Sequence, residues 1–253
     1  MTVTRIAVSA GDPRVVVDLT VGTLAPRLIS RDRTSAHVAV AAAGMTLLGG
    51  DHVHIDVSVA EGCALEIEDV GGTVAYPGAP SSWTLEARIG AGASLVWRGL
   101  PFVVADGADV ERRSSIVLGD GATAVIRETL VLGRHGESGG RLTAAFDVDD
   151  PLGPVLVEHL RVDGHAPEPG VLGGHRVLDA VIAVGFRPPT GPGDLELEGA
   201  GAISRHLAAH THASPLGRTF ESWAGRSILR SPSAPLPFAT RPARRRGVSA
   251  TSG

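Results

Sequence analysis

Three segments of this chain carry one design at a period near thirty residues, and a repeat of that length restricts the fold more than any other feature. The segments DHVHIDVSVAEGCALEI (51–67), SSWTLEARIGAGASLVW (81–97) and VERRSSIVLGDGATAVI (110–126) align on Gly62, Gly92 and Gly121, spaced by 30 and 29 residues. Ahead of each glycine, apolar residues fall at alternate positions: Val53, Ile55, Val57 and Val59, then Trp83, Leu85, Ala87 and Ile89, then Ile116 and Leu118. Period two marks a half-buried strand. Each strand runs into a short turn whose glycine supplies the positive φ that a tight turn needs. A second apolar strand starts behind it, with Leu65 and Ile67, Leu95 and Trp97, and Val125. A strand-turn-strand unit at this period predicts a mainly β fold of hairpin-like layers, stacked as a solenoid or an elongated two-sheet sandwich.

The composition agrees with many short strands. There are 33 Gly and 17 Pro to break the chain, and with aromatics at 4% the core must be built from Val, Leu, Ile and Ala. Further strands are expected at 142–148, 154–162, 175–186 and 194–199. Past Gly201 the pattern changes: Ile203 and Leu207 lie four apart, Ser214-Pro215 reads as an N-cap followed by a proline at the first helical position, and Leu216, Phe220 and Trp223 share a helical face. Two short helices are therefore expected over about 202–226, closing a single domain of residues 1–226. From Ser227 onward the chain is rich in Pro and Arg with no acid, the composition of a disordered basic tail.

Several chemistries are excluded. The chain has no lysine, so it can form neither a Walker A phosphate site nor a Schiff base. Its single cysteine, Cys63, leaves no internal disulfide and no Cys-pair zinc site, and is expected to be buried. A net charge of −4 is wrong for a nucleic-acid binder, which needs a basic face. No signal-peptide pattern and no apolar run of membrane-spanning length is present, so a soluble cytoplasmic protein is expected.

Two kinds of site are suggested locally. GRHGESGGR (133–141) contains GESGG, which fits G-x-S-x-G and makes Ser138 a candidate nucleophile with His37 as its base, the alternative reading of the chain as a serine hydrolase. Against it, a nucleophile elbow stands between strand and helix, whereas the residues after Ser138 continue in β-like alternation. Metal ligation is suggested by DHVH (51–54), RHGE (134–137) and HLAAHTH (206–212); on a helix His206 and His210 would share a face.

These pieces occur together in one family. LLGGDHVHIDVSVAEGCALEI (47–67) resembles the G-G-D block and V-x-x-G-A-x-L strand of the urease accessory proteins UreD, also called UreH. Residues 93–137 are similar to that family's continuation, ending in G-R…G-E. The resemblance spans about residues 24–225. It departs at EIEDVGGTVAYPG (66–78), where a carboxylate, Glu68 or Asp69, stands at a position usually held by polar uncharged residues. The resemblance implies a mainly β fold, no catalysis and no tightly bound cofactor. It also implies assembly with UreF and the GTPase UreG on apo-urease, assisting nickel insertion through an internal passage of weak ligands. On the family's blocks, Asp51 and Glu137 are the implied nickel contacts, with His135 behind them.

Overall fold

The computed structural model describes residues 3–44 and 47–230. In chain order the strands are β1 (Thr4–Ser9), β2 (Val16–Thr20), β3 (Leu24–Arg31), β4 (Ser35–Ala42), β5 (His52–Val59), β6 (Ala64–Asp69), β7 (Thr73–Ala75), β8 (Ser81–Ile89) and β9 (Ser94–Arg98). They continue with β10 (Phe102–Val104), β11 (Asp109–Leu118), β12 (Thr123–Leu132), β13 (Arg141–Asp150), β14 (Gly153–Asp163), β15 (Val177–Val184), β16 (Leu195–Glu196) and β17 (Gly201–Ala208), and one helix, α1 (Leu216–Arg230), follows.

The thirty-residue repeat is the pitch of a β-solenoid. One sheet runs β14-β13-β11-β8-β5-β1-β2 and the facing sheet β16-β17-β15-β12-β9-β6-β4-β3. Strands β5, β8 and β11 pair in parallel with Ile55 beside Leu85 and Leu85 beside Ser114. Across the core, β6, β9 and β12 place Leu65 beside Leu95 and Leu95 beside Ala124. Those offsets are the spacings of the three glycines, so the sequence alignment and the sheet register are one fact.

The corners turn at Gly62, Gly92 and Gly121, with φ of 67°, 60° and 64°. Successive corners are hydrogen-bonded: Gly62 N–H donates to the Ala91 carbonyl at 2.9 Å and Gly92 N–H to the Asp120 carbonyl at 2.8 Å. Here the hairpin-like expectation is corrected. The strands on either side of each glycine lie in different sheets and pair with the next repeat, not with each other. The reason is the apolar pattern: both strands of a repeat carry a buried face, and an arch turns both faces onto one core, where a hairpin would lay them side by side in one sheet. That core includes the fully buried Ile6, Ile55, Ile67, Leu95 and Ile116, each stabilising the fold by about 1.5–3 kcal/mol relative to exposure. Cys63 is buried at the first corner, where desolvation raises its thiol pKa.

The expected strands at 142–148 and 154–162 lie within β13 and β14, 175–186 contains β15, and 194–199 contributes only the two residues of β16. The first expected helix is wrong. Residues 201–208 are β17, paired antiparallel with β15 from Val177–Ala208 to Val184–Gly201, and only a 3-10 turn at Thr211–Ala213 follows. A spacing of four residues puts Ile203 and Leu207 on one face of either a helix or a strand, and the open edge of β15 decides it.

The second helix is present. Ser214 Oγ accepts a hydrogen bond from Leu216 N–H at 3.2 Å, the cap expected ahead of Pro215. Leu216, Phe220, Trp223 and Ala224 pack on Val96, Val125, Val181, Ala183 and Ala202, the outward positions of the second sheet. The helix runs four residues past the expected domain end, with Ser227 buried against Thr123 at 2.8 Å between hydroxyl oxygens. The rest of the expected tail, from residue 231, lies outside the described residues.

Candidate functional site

Three regions bring polar chemistry together. The first is a ladder of loops at the corner leading back into the first sheet, formed by residues 47–51, 76–80, 105–108 and 133–140. Backbone bonds join the rungs: Tyr76 N–H to the Leu47 carbonyl (2.8 Å), Gly50 N–H to Ala79 (2.9 Å), Ala105 N–H to Ala75 (3.0 Å) and Gly133 N–H to Val104 (2.7 Å). Asp51 is in the first rung and Glu137 in the fourth.

Asp51 closes its own turn, its carboxylate accepting from Leu48 N–H at 2.9 Å while its N–H donates to the Leu48 carbonyl at 2.9 Å. Glu137 is held on both oxygens. It accepts from Arg134 N–H (2.8 Å) and Asp106 N–H (3.2 Å) on one oxygen and from Arg134 Nε (2.8 Å) on the other, where the second arm of the Arg134 guanidinium also donates. Hydrogen bonding from the Arg134 side chain first, then from backbone N–H groups, lowers the Glu137 pKa from 4.5 to about 2. Arg134 in turn stands 5.8 Å from the Tyr76 ring centroid. His135 is exposed at the tip of the turn and makes no hydrogen bond or ion pair among the described residues.

The ladder brings the G-G-D and G-R…G-E blocks to one edge of the molecule but not to one point. At about 4.8 Å per strand step, three rungs separate Asp51 from Glu137 by about 14 Å, whereas an ion holds oxygen ligands at about 2 Å. One ion cannot touch both. Among the described residues no group of three or more His, Cys, Asp or Glu side chains is placed to hold a metal ion. His206 stands on β17, not on a helix, so the shared helical face with His210 does not exist; His210 instead stacks on His212 at 5.3 Å between ring centroids.

Ser138 is exposed in the loop between β12 and β13, so a strand and not a helix follows it. It borders a cavity of about 260 Å³ that Glu168, His175 and Arg176 also line. No hydrogen bond joins its hydroxyl to any of them among the described residues. His37 is on β4 in the second sheet, with Nε2 3.6 Å from Glu68. The nucleophile-base contact that defines a serine hydrolase is not formed.

The second region lies between the sheets, and the sequence reading passed over it. In the ladder Val53–Trp83–Arg112–Ala144 the third side chain is an inward-facing arginine. Opposite, Glu128 points inward from β12, and the two form an ion pair with Arg112 Nε at 2.8 Å and the terminal nitrogen at 2.6 Å from Glu128 Oε1. The guanidinium lies over Phe102 (4.8 Å) and Trp83 (5.5 Å). Toward the first repeat, Asp69 accepts from Trp97 Nε1 and Leu100 N–H, both at 3.0 Å. Burial raises its pKa against those bonds and the field of Arg112. Toward the last strands, Arg205 of β17 pairs with Glu158 of β14, again crossing from sheet to sheet. These five side chains form a polar seam between the two sheets. The signal was available: Arg112 and Glu128 each occupy an inward position in an alternating strand, with opposite charge.

A third cluster fixes the helix. Asp179, fully buried, accepts from Arg127 Nε (3.2 Å), its terminal nitrogen (2.8 Å), Thr129 Oγ1 (2.8 Å) and Ser214 Oγ (2.5 Å). Ser214 therefore caps α1 and anchors its start to β15.

The family model described as UreD urease accessory protein matches residues 23–230. Urease accessory protein UreD 1 of Streptomyces griseus is 37% identical over 208 residues, covering 79% of this chain and 82% of that protein. The urease accessory protein UreD of Streptomyces avermitilis is 34% identical over 206 residues, 78% of this chain and 77% of that protein. A UreD of Parafrankia is 35% identical over 167 residues, 64% of this chain and 55% of that protein.

Proposed function

The chain belongs to the family of UreD urease accessory proteins, and from that premise we propose that it is a non-catalytic scaffold for urease maturation. It docks on apo-urease with UreF and the GTPase UreG and assists nickel insertion in the cytoplasm. Energy must come from such a partner, because a chain without lysine has no Walker A site of its own. Among the described residues no helix is long and apolar enough to cross a membrane.

The observation that carries the nickel part of this reading is the seam. Asp69, Glu128 and Glu158 are carboxylates spread through the core, each already hydrogen-bonded or ion-paired. Oxygen ligands that must exchange one partner for another bind a borderline ion weakly, and weak sequential binding is what transit requires. Asp51, Glu137 and His135 belong to this reading at the rim: Asp51 and Glu137 shape the loop ladder through the bonds described above, and His135 offers an exposed imidazole there. The test is co-purification of the chain with UreF and UreG, followed by activation of apo-urease in nickel. Loss of activation on omitting the chain supports the reading, and activation that survives its omission overturns it.

A further inference from the structure

Two small cavities lie between the sheets, each of about 30 Å³, room for about one water molecule. One is bounded by Asp69, Trp97 and Phe102 among others; the other by Phe146, Glu158 and Arg205. Only Arg112 and Glu128 line both. The ion pair is thus the partition between them, a bond from sheet to sheet whose two side chains are each 14% exposed.

We propose that the Arg112–Glu128 pair is a gate on the interior route, opened by a divalent cation that takes Glu128 while the guanidinium remains over the aromatic rings. This rests on the nickel-transit reading above. The argument is one of charge. Breaking such a pair by removing one partner leaves an uncompensated charge in a poorly solvated place. Exchanging one cation for another at the same carboxylate avoids that cost for Glu128. Arg112 also has somewhere to stay: Phe102 and Trp83 offer it π faces at 4.8 and 5.5 Å, so leaving the carboxylate does not strip it of every partner. The guanidinium therefore acts as a tethered cation occupying the place a travelling ion must use. With the gate closed, the route is two separate cavities; with Glu128 bound to the ion, the cavities join.

Trp97, bonded to Asp69, and Trp83, beneath Arg112, report on this space. Nickel quenches indole fluorescence at short range, and Trp223, on the far side of the second sheet, adds a background common to all variants. We would titrate Ni2+ into the purified chain, Arg112→Met, Glu128→Gln and the double variant, none of which alters a histidine. If the tethered cation competes with nickel at Glu128, Arg112→Met should show apparent affinity tightened ~10-fold, a coupling of ordinary size. Glu128→Gln should weaken it by a similar factor, and the double variant should lose the gain.

Quenching of a folded Arg112→Met chain no different from the parent overturns the gate, as does a gain that persists in the double variant. Should Arg112→Met not fold, unchanged quenching in Glu128→Gln alone overturns it. The two readings fail separately. If the parent chain activates urease and the variants quench alike, only the gate is wrong. If the parent chain does not activate urease, the transit reading itself falls.

Discussion

Replacing Asp179 by alanine should destabilise this protein more than any single loss of polar contact at its surface. The carboxylate is fully buried and accepts four hydrogen bonds, two of them from Arg127, whose side chain is 22% exposed. Alanine leaves that guanidinium without a counter-ion beneath the start of α1 and strands the hydroxyls of Thr129 and Ser214. Removing one partner of a buried pair costs about 3–5 kcal/mol, and the partial exposure of Arg127 places the loss near the lower end, about 3 kcal/mol. For a domain of this size that is a fall in Tm of roughly 6–12 °C. Removing both charges together, Asp179→Val with Arg127→Leu, leaves no lone ion; the hydroxyls of Thr129 and Ser214 still lose their acceptor, and the loss should be smaller, about 1–2 kcal/mol. Thermal and urea unfolding followed by circular dichroism measure both. A double variant as unstable as the single one, or a single variant whose Tm moves by less than about 2 °C, would refute the argument from uncompensated charge.

Other outcomes follow from the same geometry. Gly121→Ala should lower stability by about 1–2 kcal/mol in urea unfolding, the cost of a left-handed Cβ in open space. Gly140→Ala should cost more than that, because its Cβ would stand 2.1 Å from the Ala108 carbonyl oxygen. Glu137 titrates at about 2 when folded against an ordinary 4.5, so its bonds to Arg134 and Asp106 stabilise the fold above pH 4.5 and are lost as pH falls toward 2. Acid titration should accordingly show the parent losing more stability over that window than Glu137→Gln. Ser138→Ala should leave urease activation unchanged, and the parent serine should not react with a fluorophosphonate probe.

The repeat was legible because a solenoid writes its register into the sequence. Aligning the three glycines places Ile55 beside Leu85 and Leu65 beside Leu95, the pairs that the sheets contain. The hairpin expectation failed because period two says that a strand has a buried face and nothing about which neighbour it pairs with. The segment 202–208 failed because a four-residue spacing satisfies both periods, and only β15, earlier in the chain, supplied the edge that made it a strand. The site was legible unevenly. The G-G-D and G-R…G-E blocks marked a real corner, but their carboxylates turned out to be engaged in backbone and arginine contacts that spacing could not reveal. Arg112 and Glu128 stood in plain view as charges at inward positions, yet pairing one strand's arginine with another sheet's glutamate requires knowing that the sheets face each other.

The most direct test of the account is nickel-dependent activation of apo-urease by UreF and UreG with this chain present and absent. Activation that appears only when the chain is present is the predicted result. Equal urease activity without it would contradict the assignment of this β-solenoid to urease maturation.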